Sequence, residues 1–205
     1  MSDTAADRLR LIRTPGVGPI TYRQLVARFG GAAQALEALP MLASRGGGRA
    51  PTLPDPRVIE REIAAVARLG ARHWFLDDAD FPALLAELEN APPVVTVRGD
   101  HALAAGTVIA MVGARNASAA ACRFARGLAG SLGDAGVIVV SGLARGIDTE
   151  AHRASLATGT IGVIASGIDI AFPPENAALQ EDVATRGLLI AEQPPGGEPR
   201  ARQFP

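Results

Sequence analysis

The strongest constraint on the fold lies in the second half of the chain, where strand-length apolar runs alternate with helix-like segments. Thr107–Val112 (TVIAMV), Val137–Val140 (VIVV), Thr160–Ala165 (TIGVIA) and Leu188–Ala191 (LLIA) are apolar almost throughout. Between them, Ala117–Leu132, a segment from about Thr149 to Ala157, and Ala177–Thr185 read as helices. Strands apolar on both faces and separated by helices predict a parallel sheet covered on both sides. Right-handed crossovers then bring every strand's carboxyl end to one edge of that sheet.

The chain upstream has a different texture. Asp7–Leu39 reads as helices around a short turn: Leu9, Leu11 and Ile12 precede Thr14-Pro15-Gly16-Val17-Gly18-Pro19, and Ile20, Leu25, Val26 and Phe29 follow at helical spacing. Gly30-Gly31 stops that helix, and Ala32–Leu39 forms another. Ala43–Pro56 is rich in Gly and Pro and reads as a linker. Val58–Leu69 is an amphipathic helix with Ile59, Ile63, Val66 and Ala67 on one face; His73–Leu76 and Val94–Val97 look like short strands. The expected organisation is a small helical domain over 1–43, a linker over 44–57 and an α/β domain over 58–205.

In an open α/β sheet, ligands bind outside the carboxyl ends of the strands. Here those ends run into Gly113-Ala-Arg115-Asn-Ala-Ser118, Ser141-Gly142-Leu-Ala-Arg145-Gly146-Ile-Asp148, Ser166-Gly167-Ile-Asp-Ile-Ala-Phe172-Pro-Pro-Glu-Asn176, and Glu192-Gln-Pro-Pro-Gly-Gly197. Exposed backbone N–H groups and helix N-termini favour an anion, and two of the loops add Arg115 and Arg145. Glycines after strands also serve sharp turns with no ligand at all. Several such loops on one edge, two of them with a guanidinium, favour a phosphate site over turns alone.

Common phosphate and catalytic signatures are missing. The dinucleotide fingerprint needs a second glycine where Arg115 stands and an acid where the second strand ends in Val140-Ser141. No P-loop motif and no G-x-S-x-G elbow occur. His73, His101 and His152 lack spaced metal-ligand partners. His152, four residues after Asp148, fits packing near a helix start better than acid–base chemistry, and Cys122 sits in an Ala-rich helix as a core residue. Asp169 and Glu192 read as turn and capping residues. No cofactor and no catalytic set are expected.

Net charge is −1, so no global field draws a polyanion; the first 50 residues nevertheless carry seven Arg against three acids. All 20 cations are Arg, which suits phosphate and base stacking better than Lys does. No apolar run approaches the roughly 20 residues that span a bilayer, no secretory leader is visible, and one cysteine excludes an intrachain disulfide, so a cytoplasmic protein without membrane contact is expected. Single-stranded nucleic acid offers repeated phosphates and open bases, which proteins meet with backbone-tracking cations and aromatic platforms. Phe172 and Phe204 both lie in Pro-rich loops near the expected edge. Phe172 reads as a tucked-in plug, whereas Phe204, with Arg200 and Arg202 beside it, reads as the stacking residue.

Taken together these motifs resemble the DprA/Smf family, DNA-processing protein A. The matching stretches are Val112–Ser118, Ser141–His152, Gly167–Asn176 and Ala191–Gly196, and Leu11–Gly18 with Leu25–Gly30 looks like that family's SAM-like or helix-hairpin-helix domain. Arg72–Asp100 is similar to its lead-in to an extended Rossmann-like domain. The resemblance implies an extended Rossmann-like parallel sheet with helices on both faces, preceded by the small all-α domain. It also implies a non-enzymatic protein of natural transformation that binds and protects incoming single-stranded DNA, dimerises, and helps load RecA. By motif, Gly113, Arg115, Ser118, Gly142, Arg145, Gly146 and Gly167 would line the DNA site. Phe204 would stack on a base, with Arg200 or Arg202 nearby. The hairpin turn at Pro15–Gly18 would serve either DNA phosphates or contacts between proteins. Family members usually continue past Phe204-Pro205 with an Arg-Asn-Arg segment and often a winged-helix domain, so the Rossmann-like domain is expected to be incomplete at its C-terminus. The alternative is a nucleotide-binding enzyme or sensor of the lysine-decarboxylase-like phosphoribohydrolase type, whose P-G-G-x-G-T pattern breaks off here at Pro195-Gly-Gly-Glu198.

Overall fold

The computed structural model describes residues 3–45 and 51–200. The chain packs as two compact units, Met1–Ala65 with Leu84–Val94, and Val66–Ala83 with Val95–Pro205. The first unit is helical: α1 (Ala5–Ile12), α2 (Pro19–Phe29), α3 (Ala32–Arg45) and most of α4 (Pro56–Arg68). Thr4 caps α1 in a capping box with Asp7. Between α1 and α2 the turn closes through Val17 N–H to Thr14 O at 3.0 Å, with Gly16 at φ +86° and Pro19 opening α2. The Asp3 carboxylate accepts from the Ala32 and Ala33 amides at 2.6 and 3.1 Å, satisfying the start of α3. Leu11, Tyr22, Leu25, Ala35 and Leu36 form the core of this bundle.

α3 runs on to Arg45 and α4 begins at Pro56, so both helices reach into the stretch expected as linker; residues 51–55 are irregular, and 46–50 lie outside the described residues.

The remaining elements are β1 (Arg72–Phe75), α5 (Ala83–Ala86), β2 (Val94–Gly99), β3 (Val108–Ala110), α6 (Ala119–Asp134), β4 (Ile138–Ser141), α7 (Ile147–Ser155), β5 (Thr160–Gly167), α8 (Ala177–Arg186) and β6 (Leu188–Gln193). Together the strands build one six-stranded sheet in the order β1-β2-β6-β5-β4-β3, flanked by helices. β3, β4, β5 and β6 are parallel neighbours, as the alternating pattern predicts. β2 departs from that expectation: it pairs antiparallel with β6, in register Val97↔Ile190, so the sheet is mixed. A long connection carries the chain from β2 through a 3₁₀ turn to the far edge, and β2 meets β6 from the opposite direction.

Leu143, Ile164, Ile168, Leu179, Val183 and Leu189 fill the core beneath α8. β3 is a second departure. As the terminal strand it has one neighbour, and Ile109 is half-exposed despite its apolar surroundings in the sequence.

Candidate functional site

Because β3 to β6 run in parallel, their carboxyl ends meet on one edge, and a cleft of about 460 Å³ opens there. Val112, Gly113 and Arg115 form one side, from the loop after β3. Gly142, Ala144 and Arg145 form another, from the loop after β4; Phe172 and Pro173 come from the loop after β5, and Glu192 and Gln193 from the end of β6. Four of the residues expected at a DNA site therefore share this cleft: Gly113, Arg115, Gly142 and Arg145. Both arginines are exposed on it, Arg145 in a loose ion pair with Glu175 at 3.5 Å.

The other expected residues hold the walls or lie elsewhere. Gly146 is where the two arginine loops touch. Its φ is +75°, and a Cβ placed there would strike the carbonyl oxygens of Ala114 and Arg115. Ile147 N–H, one residue on, reaches Ala114 O at 3.4 Å. Ser118 caps α6, its hydroxyl accepting from the Ala121 amide at 3.2 Å, and stands outside the cleft lining. Gly167 is buried and donates its N–H to Gly197 O at 2.8 Å, tying the third loop to the fourth. Asp169 completes that tie by accepting from the Gly196 amide at 2.8 Å, the turn role expected of it. Arg200 is exposed but does not line the cleft, and Arg202 and Phe204 lie outside the described residues.

The Arg145 loop is held from inside. Leu143 has φ +56°, a left-handed conformation rare for a side chain of its size, yet that side chain is fully buried in the core. Asp148 turns its carboxylate back to the Gly142 and Ala144 amides at 3.2 and 3.3 Å. Buried Asn176, at the end of the third loop, donates its amide to Leu143 O and Thr149 Oγ1, both at 2.9 Å, and to Ala144 O at 3.3 Å. Thr149 in turn donates to Ala144 O at 2.7 Å. This network fixes the backbone that presents Gly142 and Arg145.

Three large apolar side chains remain exposed on the cleft: Val112 at 80%, Val163 at 43% and Phe172 at 46%. Phe172 corrects an expectation, since its ring stands at the cleft and is not a plug in the core. The loop's short 3₁₀ turn, Pro174–Asn176, sends Asn176 inward while Phe172 stays out.

Glu192 is a cleft residue that sequence reasoning put down to turns and caps. Although the residue is accessible, its carboxyl is partly enclosed, and that desolvation raises its pKa above the ordinary carboxylate value. A signal was available: Glu192 and Gln193 are the first polar positions after the apolar run of β6.

His152 is fully buried, and Thr160 decides its tautomer. The Thr160 hydroxyl gives its proton to Val139 O at 2.9 Å, so its oxygen accepts from His152 Nδ1–H, also at 2.9 Å. Nε2 is then a buried acceptor without a donor among the described residues. Burial pushes the imidazole pKa down to about 4, against a weaker upward pull from the Ser141 backbone. The residue packs, as expected.

The basic N-terminal segment is largely engaged within its own unit. Arg10 donates to Pro54 O at 2.9 Å, Arg13 pairs with Glu62 at 2.8 Å, and Arg23 donates to Leu88 O and Glu89 O at 3.1 and 2.9 Å. Among the described residues no three His, Cys, Asp or Glu side chains form a metal set, and no helix is long and apolar enough to cross a membrane.

The second unit is thus a Rossmann-like α/β protein with a guanidinium-rimmed, apolar-walled cleft on its carboxyl edge, joined in sequence to a helix–turn–helix bundle. Residues 72–205 match the family model of DNA recombination-mediator protein A, and residues 2–65 match the DprA-like N-terminal HHH domain. The chain belongs to the DNA recombination-mediator protein A family, as the motifs implied. It is 32% identical over 203 residues to Protein Smf of Synechocystis sp., covering 93% of this chain and 51% of that protein. It is 35% identical over 150 residues to the DNA processing protein DprA of Bacillus subtilis, covering 72% and 50%. The chain spans about half the length of the curated relatives it matches. The X-ray structure of DprA from Streptococcus pneumoniae superposes with a TM-score of 0.77 at 26% identity, covering all of this chain and 72% of that one. A structure of the Helicobacter pylori protein, solved for its single-stranded DNA binding mode, gives a TM-score of 0.58 at 26% identity and covers 64% of this chain and 60% of that one.

Proposed function

We propose that this chain binds single-stranded DNA along the carboxyl edge of its sheet, with phosphates on the rim of Arg115 and Arg145. The observation that carries the reading is the composition of one cleft: two exposed guanidinium groups border three exposed apolar side chains, Val112, Val163 and Phe172. Phosphate and an open base ask for those two surfaces side by side, whereas a paired duplex hides its base faces. The Gly113 and Gly142 backbones add close approach without side-chain bulk. The DNA-binding role of the Helicobacter pylori relative supports the same assignment.

In this reading the α/β part, 58–205, holds the strand, Ser118 and Gly146 support the arginine loops, and Gly167 steadies the third. Arg200, Arg202 and Phe204 extend the contact along the strand. The helical part, 1–43, serves protein contacts more than DNA, because Arg10, Arg13 and Arg23 are turned to groups of their own unit. The protein acts as a dimeric, non-enzymatic mediator that shields a strand and passes it to RecA.

Titration of labelled oligonucleotides at several salt concentrations tests this. The strand is expected to bind more tightly than the duplex, and affinity to fall as salt rises. Arg115→Ala should weaken binding to every sequence about five- to tenfold, and lower the slope of log K against log salt by about 0.7. Equal affinity for strand and duplex, or a slope unchanged by the substitution, refutes the assignment. Light scattering reads the dimer, and strand-exchange assays with RecA read the transfer.

A further inference from the structure

The inner end of the cleft carries polar groups that phosphate binding does not use. Glu192 and Gln193 line it from the end of β6. Among the described residues neither side chain has a hydrogen-bond or ion-pair partner. A carboxylate is an unfavourable neighbour for a phosphate strand, so its presence beside two arginines asks for another recognition target. The walls between it and the rim are apolar: Val112, Val163 and Phe172. At about 460 Å³ the cleft falls within the range of roughly 300–1,000 Å³ usual for small-molecule sites, room enough for one nucleotide.

We propose that this cleft takes a single nucleobase of the bound strand and prefers guanine, with the base edge toward Glu192 and Gln193 and its face toward Phe172. The inference rests on the strand-binding reading above and adds base selectivity to it. The chemistry follows from hydrogen-bond inventories. A carboxylate offers two acceptors side by side. Guanine alone among the DNA bases presents two adjacent donors on its Watson–Crick edge, N1–H and the N2 amino group. Thymine sets one donor between two acceptors, and adenine and cytosine each set an acceptor beside their single amino group. Opposite the carboxylate those acceptors are repelled. The Gln193 amide can donate to guanine O6 while Glu192 takes the two donors. An aromatic face stacks on any base, so Phe172 contributes affinity without selectivity.

The experiment compares dodecamers of thymidine with one central dG, deoxyinosine, dA or dC, by fluorescence anisotropy with the 205-residue chain. Deoxyinosine keeps N1–H and O6 but lacks the N2 amino group, so it removes one of the two donors that Glu192 would meet. A second arm measures dGMP against dIMP by calorimetry. The dG strand is expected to bind about 5- to 20-fold more tightly than the deoxyinosine strand, and dGMP more tightly than dIMP. Glu192→Gln should collapse the dG-to-deoxyinosine ratio toward one; the wild-type ratio stands as evidence even if that variant folds poorly. Strand binding with equal affinity for dG and deoxyinosine overturns base selectivity and leaves the strand-binding reading intact. A ratio that persists in folded Glu192→Gln overturns the role of Glu192. Absence of strand binding with dGMP still favoured over dIMP overturns strand binding and upholds the base site. Absence of both overturns both.

Discussion

Asn176 offers a direct test of how the Arg145 loop is held. Its amide is buried and donates to Leu143 O, Thr149 Oγ1 and Ala144 O. Truncation to Ala leaves Leu143 O with no protein donor in that network, whereas Ala144 O keeps the Thr149 hydroxyl. One buried acceptor stranded costs about 1–3 kcal/mol. The lost bond to Thr149 adds about 1 kcal/mol, so Asn176→Ala should destabilise the α/β unit by roughly 2–4 kcal/mol. Leu143 sits at φ +56°, a conformation that costs on the order of 1 kcal/mol and persists only while its surroundings impose it. Loss of the clamp therefore releases the loop as well as weakening the fold.

Asn176→Asp keeps the shape and reverses the chemistry, pointing carboxylate oxygens at two carbonyls. It should be at least as harmful as Ala at pH 7. Folding would raise the new carboxyl's pKa, since its charged form faces only acceptors. That penalty is present above the unfolded value near 4 and is relieved as pH falls through the raised folded value. Urea unfolding followed by the single tryptophan, buried Trp74, measures stability, and anisotropy measures strand binding. Asn176→Ala within about 0.5 kcal/mol of wild type, or an Asp variant as stable as Asn at neutral pH, would refute this account of the loop.

Gly146→Ala should be harsher than an ordinary Gly-to-Ala change, because its φ is +75° and its Cβ would meet the backbone of Ala114 and Arg115. Loss of strand affinity together with a lowered Tm is expected, and a variant with wild-type Tm would remove the contact between the loops from the argument. His152 predicts a pH effect. Its folded pKa is lowered to about 4 from 6.5, so the unfolded chain takes up a proton first. The stability concerned is complete above about pH 6.5 and is lost as pH falls toward 4, amounting to about 3 kcal/mol. His152→Asn, which keeps a donor for Thr160, should flatten that part of the stability–pH curve, and an unchanged slope counts against a neutral buried imidazole.

How far the site can be read from sequence depends on how local its causes are. The common edge was legible because an apolar run followed by a helix is a pattern within about 30 residues, and strand direction then places the loops. The pairing of β2 with β6 was not, since Thr96 and Ala191 meet across the length of the unit and nothing near either one specifies the partner. Asn176 was invisible for the same reason: its partners Leu143 and Ala144 are more than 30 residues away. Phe172 shows a different limit. A Pro-rich loop has the same composition whether its aromatic ring turns in or out, and only the inward turn of Asn176 resolves it.

Charge tells the same story from the other side. By composition the first 50 residues are the basic part of the chain, and the α/β part is slightly acidic. By packing, Arg10, Arg13 and Arg23 are turned to carbonyls and a carboxylate of their own unit, while Arg115 and Arg145 stand exposed on a cleft. A polyanion responds to the field at the site it enters, screened over about 10 Å at ordinary salt, and not to a sum over the sequence. Adding one cation to the cleft should therefore raise strand affinity more than adding one to the helical bundle. Gln193→Lys set against Gln34→Lys makes that comparison, since both start from neutral glutamine and change the net charge equally. Equal gains in strand affinity from the two would place the binding field over the whole molecule and not at the sheet edge.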